Sequence, residues 1–412
     1  MQKQQTGIHM SLFSKEFIKA IPKTDLHLHL DGSLRINTLI ELAHDAGVEL
    51  PAYDEKGLRE LVFKDEYQNL EEYLQGFGLT TAVMQSDSAL FRVSYELLMD
   101  NAAEGVRYIE VRFAPQLLMS ESMSFGQVMA AVDRGLRQAR DELNSRLAPG
   151  EPGYDYGIIV CAMRFFNEHF SPYYRDYVRV HAFSTPTEII RGASLELAKA
   201  AVKLRAESTI QVVGFDLAGA ENGFPASEHA DSYALVQKGL LGRTVHAGEA
   251  FGPESIFQAI TRTQAERIGH GLHLFDEEMI QHPKTTNHVA YVENLVNFIA
   301  DRRITLEVCL TSNMQTSPDI GELPKHPLSK MLQRDLSISF CTDNRLVSNT
   351  TVCNELQLAV ENFSIDATRL KSIVINGFKH SFYYQPYAVK RAYLQKVTDY
   401  YDSIARQFGI AA

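Results

Sequence analysis

Short apolar runs alternate along the chain with amphipathic stretches. Eight runs rich in Val, Ile, Leu, Phe and Tyr have strand character: "KTDLHLHL" (23–30), "RYIEVRFAP" (107–115), "YGIIVCAMR" (156–164), "IQVVGFDLAG" (210–219), "GRTVHAGE" (242–249), "ERIGHGL" (266–272), "ITLEVCLTSN" (304–313) and "SISFCTDN" (337–344). Between them lie segments such as "SLELAKAAVKLRAES" and "VAYVENLVNFIADRR", whose apolar residues recur at the i, i+3, i+4, i+7 spacing of a helix that buries one stripe. Strands alternating with helices predict parallel βα units, and eight of them predict an α/β fold closed as a (β/α)8 TIM barrel. Nearly every run starts apolar and finishes in His, Asp, Glu, Arg or Asn. Such a barrel builds its active site at those C-terminal strand ends, whereas an open doubly wound sheet, the alternative, gathers function at one crevice. The connections at 31–106 and 165–209 are long and read as helical insertions. The second contains "HFSPYYRDYVRVHAF", whose aromatic residues suit a lid, an oligomer contact or packing against the barrel. No solenoid-period repeat or low-complexity tract divides the chain, so residues 1–412 read as one barrel domain with 1–20 as an N-terminal extension.

The first run raises a chemical question. In "TDLHLHLDGS" the residues His27 and His29 stand two apart in an apolar strand, so both imidazoles point to one face. A metal ion explains such a pair. His246 in "VHAGE", at the end of the fifth run, offers a third imidazole, and Asp343, at the end of the eighth, lies beside the first strand once the barrel closes. Three neutral imidazoles and a carboxylate suit zinc or a similar borderline ion, with room for water. Glu249, three residues after His246, and His270 in "GHGLH" are acid–base candidates. Each residue alone has a plain structural use: a core histidine, a carboxylate at a helix start, an N-cap, a turn. Their shared place at strand ends is what favours chemistry. His229, His273, His282 and His326 lack that placement and read as surface, turn or helix residues. "FDLAGAENG" has neither the GxGxxG nor the GKS/T pattern of a phosphate loop.

Composition narrows the partner. A chain of 412 residues, 45% hydrophobic, is ample for a large core, and a net charge of −11 excludes the concentrated Lys and Arg of a nucleic-acid binder. A small molecule is the expected partner, with neither nucleic acid nor membrane. Cys161, Cys309, Cys341 and Cys353 show no CxxC spacing and read as reduced thiols. The start, "MQKQQTGIHMSLFSKEF", has no apolar segment of signal-peptide or membrane-span length, so the expected location is the cytoplasm.

The ordered set "DLHLHLDGS", "GFDLAGAE", "TVHAGEA", "RIGHGLHL", "SN…T…HP" and "CTDN", from about residue 20 to about 360, resembles the adenosine deaminase family. It does not resemble the HxE…PCxxC zinc deaminases, whose signature is missing. The resemblance implies one zinc per chain held by His27, His29, His246 and Asp343. It implies proton transfers by Glu249 and His270, with help from Asp343, and a backbone N–H of Gly219 approaching the purine. Asp31 matches the residue that contacts the sugar hydroxyls in nucleoside-specific members, where adenine-specific relatives often carry Glu. The implied reaction is deamination of adenosine or 2'-deoxyadenosine to the 6-oxo purine nucleoside. Adenine or an aminofutalosine-type nucleoside is the alternative substrate. A non-catalytic descendant would have lost a ligand or the Glu249/His270 pair. One departure stands out: the family usually has two consecutive aspartates at the eighth strand end, and here the second is Asn344, followed by "RLVSNT". An amide there donates a hydrogen bond at any ordinary pH, so Asn344 is expected to face ring N7.

Overall fold

Parallel strands alternate with helices throughout the computed structural model, which describes residues 13–410. The strands are β1 (Lys23–His29), β2 (Val106–Phe113), β3 (Asp155–Met163), β4 (Val212–Ala218), β5 (Gly242–Ala247), β6 (Arg267–His270), β7 (Thr305–Val308) and β8 (Ile338–Phe340). Each pairs in parallel with the next, in the order β1 to β8. The ring closes just beyond β8, where His29 N–H donates to the Asp343 carbonyl and Asp343 N–H to the His27 carbonyl, both at 2.8 Å. This is the (β/α)8 barrel expected from the sequence.

Burial on both faces explains why the strands read as apolar runs: all seven residues of β1 and all eight of β2 are buried. The outer helices turn one stripe inward. Val128, Val132, Leu136 and Ala139 of helix Phe125–Asn144 are buried at i, i+4, i+8 and i+11. Helix Pro186–Glu207 is started by a capping box between Thr185 and Glu188 with Pro186 in the first turn.

Two strands fall well short of the runs expected from the sequence. The run 304–313 is a strand only to Val308; Leu310–Thr316 is helical. Its neighbour β8 offers three residues for pairing, so the polar half of the run has no ladder to join and folds back on itself. β8 likewise ends at Phe340, leaving Asp343 in an isolated bridge to Leu28. The long connections are helical, as expected. Residues 31–106 hold five helices from Ile36–Ala46 to Asp87–Ala103. In 165–209, helix Pro172–Val180 packs through Tyr174, whose ring stacks on Phe166 at 3.9 Å and whose hydroxyl donates to Gln116, while Phe170, Val180 and Phe183 are exposed. Of the expected extension, residues 1–12 lie outside the described residues; helix Lys15–Ala20 buries Phe17 and Ile18. Among the described residues no helix is long and apolar enough to cross a membrane, and all four cysteines are free thiols.

Candidate active site

Alternation along β1 sends Leu26 and Leu28 one way and His27 and His29 the other, to the mouth of the barrel. His246 arrives on β5, across the ring, and Asp343 at the closing seam. Their donor atoms converge. His27 Nε2 and His246 Nε2 are 3.0 Å apart, His29 Nε2 and His246 Nε2 3.1 Å, and Asp343 Oδ1 stands 3.3 Å from His27 Nε2 and 3.5 Å from His29 Nε2.

The protons on these rings decide what the cluster can hold. His27 Nδ1 donates to Glu307 Oε2 at 2.8 Å, and His246 Nδ1 lies 3.0 Å from Asp216 Oδ2. Each carboxylate keeps the ring proton on Nδ1, so the two Nε2 lone pairs face each other at contact distance. Without a cation that arrangement is repulsive. With an ion bound at about 2.0–2.1 Å, tetrahedral geometry separates donors by roughly 3.3 Å, which matches the spacing found. His27, His29, His246 and Asp343, all buried, therefore form a mononuclear metal site of the kind zinc occupies.

Behind the ligands lies a ladder of buried charges. Arg112, fully buried, donates to Asp216 and to Glu307 at 2.9 Å each, bridging the two carboxylates that orient His246 and His27. Arg267 continues it, donating to Glu307 and to Glu110. Burial alone would raise the carboxyl pKa of Asp216 and Glu307; His246 and Arg112 hold the first, and Arg112 and Arg267 the second, well below the usual range. Both stay ionised, which is what an imidazole ligand needs behind it.

Beside the metal site stand Glu249, His270 and Asp343, whose acidic and imidazole atoms lie within 4.8 Å of one another. Burial, with Asp343 nearby, pushes the Glu249 carboxyl up to about 8 against the opposing pull of His246, a direction that favours its acid form. His270 Nε2 is 3.6 Å from Glu249 Oε1 and is buried with no other partner. Its other nitrogen is committed through a chain of bonds. Leu328 N–H donates to His326 Nδ1, His326 Nε2–H to Asn313 Oδ1, and the Asn313 amide to His270 Nδ1 at 3.0 Å. That direction leaves the His270 proton on Nε2, aimed into the site, and burial holds the ring neutral. His326 is thus a buried member of this chain rather than a bystander in a turn. Ser312 Oγ donates to Asp343 Oδ2 at 2.6 Å, turning Oδ1 to the metal site. Both His270 (φ 64°) and Asp343 (φ 59°) occupy the left-handed region, a strained choice for these residues that recurs at functional sites.

The remaining sequence candidates lie around this centre. Asp31 follows β1 with Oδ1 3.8 Å from His29 Nδ1; that oxygen is buried without a hydrogen bond, and burial raises the carboxyl to about 7. Gly219, directly after β4, has φ 96°, which a side chain would make costly. The Asn344 amide donates to Tyr73 Oη at 2.8 Å, its Oδ1 is buried without a partner, and it packs so close to Gly32 that a Cβ there would sit 1.8 Å from that oxygen. One Asn344 N–H is therefore already engaged. Asp216, Glu307, Arg112, Asn313, Ser312 and Glu221 complete the site's surroundings and were not singled out from the sequence.

The adenosine deaminase family profile matches residues 22–173 and 178–400. The chain belongs to the adenosine deaminase family. Within it, the chain is 36% identical over 368 residues to an adenosine deaminase of Mycobacteroides abscessus, covering 89% of this chain and 91% of that protein. It is 34% identical over 368 residues to a probable adenosine deaminase of Dictyostelium discoideum, covering 89% of this chain but spanning only 41% of that longer protein. Among solved structures, an adenine deaminase of Arthrobacter aurescens superimposes with a TM-score of 0.72 at 23% identity, over 93% of this chain and all of that one, a likeness of fold. Family membership and the intact His/His/His/Asp site support a metal-dependent hydrolase of the aminopurine deaminase type.

Proposed function

We propose that this protein hydrolyses the 6-amino group of a purine nucleoside, adenosine or 2'-deoxyadenosine, releasing ammonia and the 6-oxo purine nucleoside. The observation that carries this reading is the gathering of Glu249, His270 and Asp343 within 4.8 Å beside a three-imidazole metal site. His27, His29, His246 and Asp343 would hold a zinc ion, which when bound would lower the pKa of a water toward about 7 and so supply a nucleophile at neutral pH.

The chain's own groups do the rest. Glu249, buried and protonated, donates to ring N1 as C6 becomes tetrahedral, so that negative charge does not build on the ring. His270, with Nε2–H turned inward and Nδ1 held by Asn313, orients the attacking water; in that tautomer it positions and polarises the water rather than taking its proton. Asp343, its Oδ2 fixed by Ser312, accepts a hydrogen bond from the nucleophile and passes the proton to the leaving amine. Water adds at C6, the C6–N bond breaks as one water proton reaches the amine through Asp343, ammonia departs, and the other water proton, lost from the C6 hydroxyl as the 6-oxo group forms, replaces the one Glu249 gave to N1. Gly219 N–H contacts the purine, the free N–H of Asn344 reaches N7, and Asp31 binds the sugar hydroxyls. The unpaired buried oxygen of Asp31 is an acceptor in want of a donor, and a ribose hydroxyl supplies one. The similarity to proteins named adenosine deaminase supports the same substrate.

The test is ammonia release from adenine, adenosine, 2'-deoxyadenosine and AMP, with metal measured in the same preparation. The expected result is fastest turnover on the nucleosides with about one zinc per chain. A preference for adenine or AMP, or no release from any nucleoside, overturns the reading.

A further inference from the structure

The loop that carries Glu249 has no regular structure: it leaves β5 at Ala247 and enters helix Pro253–Arg262 six residues later. It is held by a side chain from another loop. Glu221, buried, accepts hydrogen bonds from four consecutive backbone N–H groups: Gly248 (2.7 Å) on Oε1, and Glu249 (2.9 Å), Ala250 (2.7 Å) and Phe251 (3.1 Å) on Oε2. Ser255 Oγ adds a fifth donor on Oε1. Successive amides turned to one point form a concavity that binds an anion, and here the anion belongs to the chain itself. Gly248, at φ 71°, gives the turn its shape; a Cβ there would lie 2.6 Å from Ile256 Cδ1.

Glu221 stands two residues beyond Gly219 on the loop after β4. One carboxylate thus ties the loop that offers Gly219 to the loop that offers Glu249. A second tie runs alongside: Arg164 donates to the Phe224 carbonyl on the β4 loop and to the His246 carbonyl on β5, both at 2.5 Å.

We propose that Glu221 is a positioning residue for the deamination: its carboxylate sets the distance between the Gly219 backbone and the Glu249 acid, and so the register of the purine ring against its proton donor. This rests on the function proposed above. The simpler role, a carboxylate serving only to start helix Pro253–Arg262, makes a different prediction. A cap supports the fold, and its loss lowers turnover by the same factor whatever residue stands at 249. A positioning residue acts through Glu249, and its loss matters only while that acid is present.

The experiment is a double-mutant cycle on the metal-loaded enzyme with Glu221→Gln, Glu249→Gln and the double variant, measuring kcat, KM and metal content for adenosine. The amide of glutamine offers one acceptor oxygen and turns an NH2 toward the remaining donors. Glu221→Gln is expected to lower kcat by about 10- to 100-fold, in line with the cost of small misplacements of a reacting group, with metal retained. In the Glu249→Gln background the same change is expected to lower kcat by less than about twofold. An equal loss in both backgrounds, or a single variant within about twofold of wild type, overturns the proposal. A second measurement reads the loop without activity. Amide hydrogen exchange at Gly248–Phe251 in the wild-type protein is expected to be slower by about 100-fold or more than in an unstructured loop, and exchange at free-loop rates overturns the proposal even if the variant does not fold. If wild type deaminates no 6-aminopurine, the functional reading fails on its own. Slow exchange in wild type and its loss in Glu221→Gln then still judge whether this carboxylate positions the loop.

Discussion

Replacing Asp216 with asparagine is expected to weaken zinc binding by about 10- to 100-fold, or roughly 1.4–2.7 kcal/mol, although Asp216 does not touch the metal site. Its carboxylate serves four donors: His246 Nδ1 at 3.0 Å, Arg112 Nη1 at 2.9 Å, the Leu217 amide at 2.7 Å and the Cys161 thiol at 3.4 Å. An asparagine of equal shape has one acceptor oxygen. If its NH2 takes the place of Oδ2, it faces both Arg112 Nη1 and His246 Nδ1, and the imidazole relieves the clash by moving its proton to Nε2, which removes the lone pair a metal needs. If its oxygen takes that place, the bond to His246 survives without its charge, and the ring is a weaker donor to the metal. Arg112 keeps Glu307 and the Leu26 carbonyl in either case, so the barrel is expected to persist. The assay is competition for zinc against a chelator of known affinity at fixed pH, with thermal unfolding of the metal-free proteins in parallel. Asp133→Asn is the control, a buried carboxylate that serves Tyr156 and Arg137 far from the metal site. A zinc affinity for Asp216→Asn within about twofold of wild type would refute the reasoning, because a neutral amide would then hold His246 as well as a carboxylate does.

Glu249→Gln is expected to keep its metal while turnover falls at least about 100-fold, since an amide of the same shape cannot deliver a proton to N1; wild-type rates would exclude Glu249 as the acid. Adenosine compared with 7-deazaadenosine tests Asn344: loss of the N7 acceptor is expected to cost wild type about 1–3 kcal/mol, roughly 5- to 150-fold in kcat/KM. The penalty should shrink in Asn344→Ala, and an equal penalty in both proteins would remove Asn344 as the N7 partner. The fully buried Glu355 links stability to pH, because burial raises its carboxyl to about 7 despite bonds from Thr311 and Thr350. A raised folded pKa contributes stability that is complete below the unfolded value and is lost as pH rises through the folded one. Relative to Glu355→Gln, wild type should therefore lose about 3 kcal/mol of unfolding free energy between pH 4.5 and 7.5 and little beyond, as read by denaturant titration; a difference that is flat in pH would refute the linkage.

How far the sequence could be read follows from the range of each interaction. His27 and His29 were legible because a period of two is local, and Asp343 because a closed barrel brings the last strand end beside the first. The carboxylates behind them left a weaker trace. Asp216 in "GFDLAG", Glu307 in "TLEVCL" and Arg112 in "EVRF" are charges inside runs buried on both faces, and fully buried charges must be paired. Their presence was readable as a buried ion network; their pairing was not, since Arg112 and Glu307 are 195 residues apart. His326 stands with Asn313 in "SN…T…HP" yet reads as a turn residue, because the spacing alone does not reveal the bond between them. Glu221 closes the run "GFDLAGAE", but nothing in that run reveals its partners, which are backbone amides that every residue carries. The boundary of β7 was misread because the length of a strand depends on how much its neighbour can pair with.

The closing seam also bears on how the protein comes into being. The hydrogen bonds that join first and last strands run to and from Asp343, so the group that shuts the ring also helps grip the ion. His27 waits 219 residues for His246 and 280 for the carboxylate of Glu307 that sets its tautomer. A nascent chain emerging from the ribosome carries its first two imidazoles for most of its synthesis with nothing to complete them. Long-range closure of this kind comes late in folding. The metal cluster is therefore complete only once the eighth strand has been made, and a product that stops short of it lacks the carboxylate of Asp343.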